Sequence, residues 1–429
     1  MSSKEQTLVA CGDILIECDS DAETISKMWD GVRDEIQDAT VALGHGELPF
    51  SERGYKTYVD MFVGAPKACP PHNVKTIKEA GFDALTLCTN HIFDLGPDPI
   101  EDTIALCEEN ELAHTGAGMN LEEASEPAIV EKDGVKYGFL AYNCTGPIGS
   151  WAKPDKAGCN YVHSVAHYVN ELPTIGGPTP CYSFPMPQDV ERMQKQIADL
   201  RDKVDVLAVS LHKGVGFVPA YVGMHESTIA KAAVDAGADV IFGHHGHMLK
   251  GIEVYKGKVI FHDMGNLQAL ADLPDGTPFF RYGTLKVQRV RGDLTEEQKI
   301  ARQREFDRRV GAPFVWGANG TACEVPPMDQ MYHSMLGKVY VEDGKVTKVN
   351  FVPLRFHDEG APYVLKREDP EAQQLFEYMQ NITENAWFDT QFEWDGDEIH
   401  VITEQGMMPQ GNGFEVPVPE SRAHPRTML

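Results

Sequence analysis

The sequence predicts an α/β fold, in which a β-sheet is covered by helices. Short apolar runs of strand length, such as residues 7–11 and 204–211, alternate with segments that have helical spacing. Several apolar runs lead into a polar loop and then a helix. This repeated strand–loop–helix unit is typical of a sheet packed against helices.

The predicted elements follow one another along most of the chain. The predicted strands cover residues 7–11, 38–43, 82–88, 135–142, 204–211, 239–242, 258–262, 282–290, 337–342 and 345–351. The predicted helices cover residues 25–37, 73–80, 100–110, 190–200, 227–236, 295–310 and 370–385. Gly81 is a suitable helix C-cap, and Asp343-Gly344 is a strong signal for a hairpin turn.

Two segments interrupt this pattern, and a third ends it. Residues 144–187 are rich in Gly, Pro, Cys and aromatic residues and lack periodicity. They are interpreted either as a long insertion loop or as a cover over a substrate, with contacts from Tyr161, His163, His167 or Tyr182. A second insertion is predicted at about residues 290–335. Residues 404–429 have no core-forming pattern and are expected to pack on a partner subunit, giving a homo-oligomer, or elsewhere on the surface.

Composition excludes several classes of protein. The 429 residues carry a net charge of -27, which disfavours binding to nucleic acid or to an anionic membrane. No apolar stretch approaches the length of a membrane span, and the first residues lack the apolar region of a signal peptide. The nine cysteines are odd in number and include no CxxC pair. We therefore expect a reduced, cytoplasmic protein.

Side chains that can bind metal follow five of the predicted strands: Asp13, Glu47, Asn90 with His91, His212, and His245 with His247. In an extended segment, His245 and His247 would point to the same side, and His244 would point away from it. Converging imidazoles suit Zn²⁺, Mn²⁺ or Fe²⁺. A glycine-rich turn with solvated histidines is the simpler alternative for that loop alone. Five strands that each deliver such a group favour a metal site.

The order of these groups resembles that of the calcineurin-like metallophosphoesterases, which is acid, acid, Asn-His, His and GxHxH. The chain is more similar still to the CapA family, named for poly-γ-glutamate capsule synthesis. The similarity is carried by Thr89-Asn90-His91-Ile-Phe-Asp94-Leu-Gly96, Gly116–Ala124, Ser210–Gly214, the GHHGH loop at 243–247 and Gly265-Asn266. It covers roughly residues 7–355, apart from the two insertions.

The resemblance implies a four-layer αββα sandwich for residues 1–403, with 404–429 as a tail. It implies one or two divalent ions (Mn, Fe, Zn or Mg) on Asp13, Glu47, Asn90, His212, His245 and His247. His91 would be the general acid, and Asp94 would orient its ring. We assign His45, Lys213 and Asn266 as substrate contacts, with metal binding an alternative for His45. His262-Asp263 lies near the same face and can support the site.

Three functions are consistent with these residues. The first is a metal-dependent hydrolase that acts on a phosphoester or a glutamyl amide in a small-molecule or peptide substrate. The second is a non-enzymatic component of poly-γ-glutamate biosynthesis that binds metal or peptide. It is favoured by the missing Asp-x-His motif, since Ile14-Leu15 follows Asp13. The third is an amidohydrolase barrel, but that class carries its HxH motif after the first strand.

Overall fold

The computed structural model describes residues 5–55, 68–168, 181–216, 218–272, 278–280, 315–316, 322–323, 331–357 and 359–403. Elements are numbered in chain order. The helices are α1 (Ala22–Lys27), α2 (Arg33–Gln37), α3 (Asn73–Ala80), α4 (Asp98–Glu109), α5 (Leu121–Ala124), α6 (Pro187–Arg201), α7 (Met224–Asp235) and α8 (Pro370–Asn385). The predicted strand at 282–290, the predicted helix at 295–310, most of the second insertion and the 404–429 tail lie outside the described residues.

The larger sheet has 11 strands. They are β1 (Gln6–Ile16), β2 (Val41–Gly46), β3 (Ala84–Thr86), β4 (Ala113–Thr115), β15 (Asn266–Asp272), β16 (Pro278–Phe280), β19 (His333–Glu342), β20 (Lys345–Phe356), β21 (Pro362–Val364), β22 (Gln391–Asp395) and β23 (Glu398–Ile402). The main order is β22-β23-β20-β19-β1-β2-β3-β4, with β15 also on β1, β16 on β15 and β21 on β20. The strands β1 to β4 run parallel.

The smaller sheet has six strands in the order β13-β14-β12-β11-β7-β6. They are β6 (Ala128–Lys132), β7 (Val135–Asn143), β11 (Val206–His212), β12 (Val240–His244), β13 (Ile252–Tyr255) and β14 (Lys258–Phe261). Short pairs join β5 (Ala117–Gly118) to β8 (Gly158–Cys159), β9 (Ser164–Tyr168) to β10 (Cys181–Pro185) and β17 (Val315–Trp316) to β18 (Ala322–Cys323).

Three apolar layers define a four-layer αββα sandwich, which is the fold class expected from the sequence. Alternate residues of β1 belong to different layers: Val9 and Cys11 face the helices α1 to α4, whereas Leu8 and Ala10 face the smaller sheet. A third layer lies between the smaller sheet and the helices α6 and α7, with Ile197 and Ile241 among its members. Both sheets are therefore buried on both faces, which explains their nearly continuous apolar runs.

Several predicted elements are confirmed and one is wrong. The helix α3 ends at Gly81 with a φ of 117°, and β19 and β20 meet at a hairpin where Asp343 and Gly344 have φ values of 50° and 73°. The predicted single helix at 25–37 is broken into α1 and α2. Gly31 lies at the break, where an added Cβ would be 2.3 Å from the Pro362 carbonyl oxygen. Close packing of β21 therefore leaves no room for a side chain at the break, and the Gly31 carbonyl oxygen accepts a hydrogen bond from the Val364 N–H at 3.2 Å.

Candidate metal centre

The site lies where the carboxyl ends of β1 and β2 from the larger sheet meet those of β11 and β12 from the smaller one. Asp13 is at a shift of register on both edges of β1. The strand continues to Ile16, rather than stopping at Gly12-Asp13 as the sequence suggests. An added Cβ on Gly12 would be 2.1 Å from the Gly265 carbonyl oxygen, so only glycine permits this approach. Because the two segments approach so closely, the Asp13 N–H donates a hydrogen bond to the Gly265 carbonyl oxygen at 2.9 Å, and Asp13 lies beside Asn266.

Asp13, Glu47 and His247 form the first group of metal-competent side chains. One ligand atom from each lies within 4.8 Å of the other two, and all three residues are buried. His247 Nδ1 is 3.2 Å from Asp13 Oδ2, and its Nε2 is 3.4 Å from Glu47 Oε1. Neither carboxylate oxygen of Glu47 accepts a hydrogen bond. A buried carboxylate without a donor is costly unless a cation completes it, so the group fits a divalent ion.

Asn90, His212 and His245 form a second group beside the first. His212 Nε2 is 2.6 Å from Asn90 Oδ1 and 3.2 Å from His245 Nδ1. The His245 backbone N–H donates to Asp13 Oδ2 at 3.3 Å, which links the two groups. The structure thus brings together all six residues that the resemblance assigns as metal ligands. Their mixture of oxygen and imidazole nitrogen atoms suits borderline divalent ions.

The loop that carries His245 and His247 is a turn and not an extended segment. The two residues have φ values of 97° and 55°. The expectation that an extended chain orients their side chains together is therefore wrong, although both rings do reach the site. Such backbone conformations cost roughly 1–3 kcal/mol each and persist where surrounding contacts impose them. Here Asp263 accepts hydrogen bonds from the Gly246 and Gly265 N–H groups and so connects this loop to the one after β14.

His45 and His244 lie on the inner side of Asp13. His45 is 1% exposed, with His45 Nδ1 2.7 Å from Thr86 Oγ1 and Nε2 3.0 Å from His212 Nδ1. It therefore lies behind the ligands, and the prediction that it contacts substrate does not fit this position. His244 stacks on His45 with ring centroids 3.8 Å apart, and its Nδ1 is 3.2 Å from Asp13 Oδ1. Sequence reasoning left His244 out because it assumed extended backbone.

Lys213 and Asn266, the other predicted substrate contacts, are also buried. Lys213 Nζ is 2.9 Å from His262 Nδ1 and 3.4 Å from Glu226 Oε2, within a charged network that includes Lys250. Burial lowers the pKa of Lys213. Asn266 Oδ1 is 3.0 Å from His247 Nδ1, so it can fix the orientation of that ring. Both side chains are thus buried, and their contact with substrate stays a prediction.

His91 is partly accessible, with 28% of its side chain exposed. Its Nδ1 is 2.6 Å from Asp94 Oδ2, and its Nε2 is 3.9 Å from Glu47 Oε1. Burial lowers the pKa of His91, but the hydrogen bond to Asp94 and the charge of Glu47 outweigh it and raise the pKa above its ordinary value. An imidazole with a raised pKa, whose Nδ1 is held by a carboxylate and whose Nε2 lies toward the candidate ligands, has the properties of a general acid.

The two carboxylates of the first group have opposite electrostatic environments. Burial raises the pKa of Asp13, but hydrogen bonds from His244 and His247 outweigh it and hold the pKa well below its usual range. Burial raises the pKa of Glu47 to about 8, despite the opposing charge of His247. For His247, burial is outweighed by the charges of Glu47 and Asp13, and the pKa rises to about 10. Burial therefore disfavours the ionised form of Glu47 in the absence of a cation, and a bound cation would favour it.

The first insertion contributes to the surroundings of the site in its described parts, 144–168 and 181–187. Thr145 Oγ1 lies 3.4 Å from His245 Nε2, and the Cys159 thiol contacts the Thr89 carbonyl oxygen. Tyr161 and His163 both pack on Trp151, with ring centroids 4.5 and 4.9 Å apart, respectively. Tyr182 and His167 are paired across β9 and β10. A lid function for this segment stays a prediction.

Helices of the described ranges are all too short or too polar to cross a bilayer. The seven cysteines whose thiols the structure describes are all free and buried.

The sequence of this chain is similar to those of several bacterial proteins. Over 235 residues the chain is 28% identical to the capsule biosynthesis protein CapA of Bacillus anthracis, covering 54% of this chain and 51% of that protein. It is 29% identical to the PGA biosynthesis protein CapA of Bacillus subtilis, covering 45% and 44%, so it spans about half the length of these relatives. An uncharacterized protein of Sinorhizobium fredii is 22% identical over 88% of this chain and 89% of its own.

Residues 7–269, more than half of the chain, match the family described as bacterial capsule synthesis protein PGA_cap. This range contains all six candidate metal ligands together with His91 and Asp94. The protein belongs to this family, the CapA family of poly-γ-glutamate capsule synthesis proteins.

Proposed function

We propose that this protein is a metal-dependent hydrolase that acts on a phosphoester or on a glutamyl amide. The observation that carries the proposal is the Glu47 carboxylate, which is fully buried, has no hydrogen-bond donor and lies beside Asp13 and His247. Metal binding supplies what this carboxylate lacks. A bound divalent ion would provide Lewis acidity at the scissile group and lower the pKa of water.

The chain's own residues would bind the ions and donate the proton. Asp13, Glu47 and His247 would hold one ion, and Asn90, His212 and His245 a second. His91 would donate the proton on Nε2 to the leaving group, while Asp94 accepts from its Nδ1 and fixes the ring. The substrate classes are proposed from the metallophosphoesterase-like site and from the relatives named for capsule and PGA biosynthesis.

A non-enzymatic role in poly-γ-glutamate handling is the second candidate. It is favoured by Leu15, a buried apolar residue that occupies the position of the histidine in the Asp-x-His motif of phosphoesterases. The first group thereby has one imidazole fewer than such enzymes. A site that binds metal or peptide without turnover would have the same remaining ligands.

Paired substitutions test the proposal. We expect His247→Ala to lose bound metal, because a buried ligand is removed. His91→Ala should keep metal near the wild-type level but lose activity by about 10²–10⁴-fold, as is usual for a general acid. His72→Ala, which alters an exposed histidine before α3, is the control. Metal is measured by elemental analysis, and activity on a chromogenic phosphodiester and a γ-glutamyl peptide.

The metal content and activity of these proteins distinguish the two candidate functions. Wild-type protein that binds metal but hydrolyses neither substrate class supports the non-enzymatic role. Loss of metal from His91→Ala to the same extent as from His247→Ala would make His91 a ligand and refute its role as acid. Absence of metal binding by the wild-type protein would refute the proposed function.

A further inference from the structure

A buried chain of three side chains lies directly behind the second group of candidate ligands. Thr86 Oγ1 is 2.7 Å from His45 Nδ1, and His45 Nε2 is 3.0 Å from His212 Nδ1. The other ring nitrogen of His212 faces Asn90 at 2.6 Å and His245 at 3.2 Å. Thr86, His45 and His212 are each at most 1% exposed. Water therefore does not compete for these hydrogen bonds.

The hydrogen atoms of this chain can be arranged in two ways. A neutral imidazole has one N–H donor and one nitrogen acceptor. The donor–acceptor direction of one hydrogen bond to a ring therefore fixes the direction of the next one. In one arrangement Thr86 donates to His45, His45 donates to His212, and His212 Nε2 carries a hydrogen. In the other every donor is reversed, and His212 Nε2 presents its lone pair. Only the second arrangement allows Nε2 to bind a cation.

The surroundings of Thr86 complete the second arrangement. When His45 Nδ1–H donates to Thr86 Oγ1, the threonine hydroxyl needs an acceptor of its own. The Gly44 carbonyl oxygen lies 3.3 Å from Thr86 Oγ1, and Ser210 Oγ lies 3.4 Å from it. Stacking of His244 on His45, with centroids 3.8 Å apart, restricts rotation of the His45 ring. The reversed chain therefore gives every N–H and O–H donor an acceptor, and a bound cation would satisfy the His212 Nε2 lone pair, which faces the Asn90 Oδ1 oxygen at 2.6 Å.

We propose that Thr86 and His45 are positioning residues that hold His212 in the tautomer with its lone pair on Nε2, facing Asn90 and His245. The inference rests on the metal binding of the proposed function and assigns a role to His45 other than the substrate contact expected from the sequence. It follows the general pattern in which a group behind a histidine ligand fixes its tautomer.

The alternative is that His45 itself binds a metal ion. Ligand atoms of Asp13, His45 and His212 do lie within 4.8 Å of one another. However, His212 has a single lone pair as a neutral ring. If Nδ1 bound an ion shared with His45, Nε2 would carry the hydrogen and could not serve the group with Asn90 and His245. The two roles of His45 thus exclude each other and predict different effects of substitution.

Matched substitutions at position 45 distinguish them. His45→Gln keeps an acceptor oxygen close to the position of Nε2, whereas His45→Phe keeps the aromatic volume and the stacking on His244 but removes the acceptor. Thr86→Val removes only the hydroxyl at the end of the chain. Metal-free full-length protein is titrated with Mn²⁺ and with Zn²⁺ by calorimetry, and folding is checked by circular dichroism and thermal melting.

We expect the wild-type protein to bind two ions. His45→Phe should weaken one of the two sites by about 10–100-fold without removing it at saturation, the usual effect of losing such a supporting group. His45→Gln should stay within a few-fold of wild type, and Thr86→Val should lie between the two. A His45→Gln protein that loses one ion completely would show that His45 is a ligand. The inference would also be overturned if His45→Phe bound both ions with wild-type affinity. It would be overturned too if the wild-type protein bound one ion and substitution of His212 left that binding unchanged.

A spectroscopic measurement needs no substitution at position 45. Nitrogen-15 chemical shifts of the zinc-loaded protein, assigned by comparison with His212→Gln, should show the His212 hydrogen on Nδ1. A hydrogen on Nε2 would refute the inference while leaving metal binding intact. Failure of the wild-type protein to bind any ion refutes the proposed function instead, so the two failures are distinguishable.

Discussion

Substitution of Glu47 by glutamine should stabilise the metal-free protein while reducing its stabilisation by metal. The pKa of Glu47 is raised from 4.5 to about 8, chiefly by burial. An acid with a raised pKa in the folded state contributes stability below its unfolded pKa and loses that contribution as pH rises through the folded value. The free energy of unfolding of the metal-free wild-type protein should therefore decrease between about pH 4.5 and pH 8.

The magnitude follows from the shift. At 1.36 kcal/mol per pKa unit, ionising the buried group costs about 3 kcal/mol at pH 7 and approaches about 5 kcal/mol above pH 9. Glutamine has the same shape without the charge, so the stability difference between variant and wild type should grow by about 1.4 kcal/mol per pH unit from pH 5 to 8. With an unfolding entropy of about 2.1 cal/mol/K per residue, each 1 kcal/mol moves the Tm of this chain by about 1 °C.

The assay is thermal unfolding of chelator-treated protein at several pH values, with and without added Mn²⁺. Glu52→Gln, at an exposed carboxylate, is the matched control and should show no pH-dependent gain. Metal should raise the Tm of the wild type and of the control by more than that of Glu47→Gln, which keeps only the second group of ligands intact. The reasoning is refuted if the metal-free Glu47→Gln protein is less stable than wild type at pH 8, or if the difference does not change between pH 5 and 8.

Three further predictions concern other parts of the site. Asp94→Asn should retain activity between that of wild type and His91→Ala and shift the alkaline limb of the pH–rate profile to lower pH, because Asp94 raises the pKa of His91; an unshifted limb would contradict this. Lys250→Met should destabilise the protein by about 3–5 kcal/mol in denaturant titrations, because it leaves Glu226 with one buried cation fewer; a neutral effect would show that the network is dispensable. Limited proteolysis within residues 144–187 should slow when substrate binds, and unchanged cleavage at saturation would argue against a lid.

Much of the fold could be predicted because its signals are local. The turn at Asp343-Gly344 and the cap at Gly81 depend on residues that tolerate positive φ, and both are found where expected. Strand β2, in contrast, extends through Gly44 and His45, which were interpreted as a loop. Gly44 packs closely on β3, where an added Cβ would be 2.5 Å from Leu85 Cδ2. A contact with a distant strand leaves no local signal in the sequence.

The same distinction applies to the site. Polar residues after successive strands sufficed to predict that Asp13, Glu47, Asn90, His212, His245 and His247 converge. The roles of His45, His244 and Lys213 could not be derived in this way, because they depend on which side of Asp13 each chain segment passes. The side chain of His45 points into the sheet junction, between Thr86 and His212, only because β2 continues beyond the predicted boundary.

The position of β1 between β2 and β19 also determines when this strand gains both of its neighbours during protein synthesis. Residues Gln6–Cys11 of β1 pair with Leu336–Val341 of β19, about 325 residues later in the chain. At about 5–20 residues per second, the ribosome adds that interval in roughly 16–65 s. Until then one edge of the strand that leads to Asp13 has no partner over these residues. The strand that leads to Asp13 therefore gains its antiparallel neighbour only after β19 has emerged, long after synthesis of the parallel units that carry the other candidate ligands.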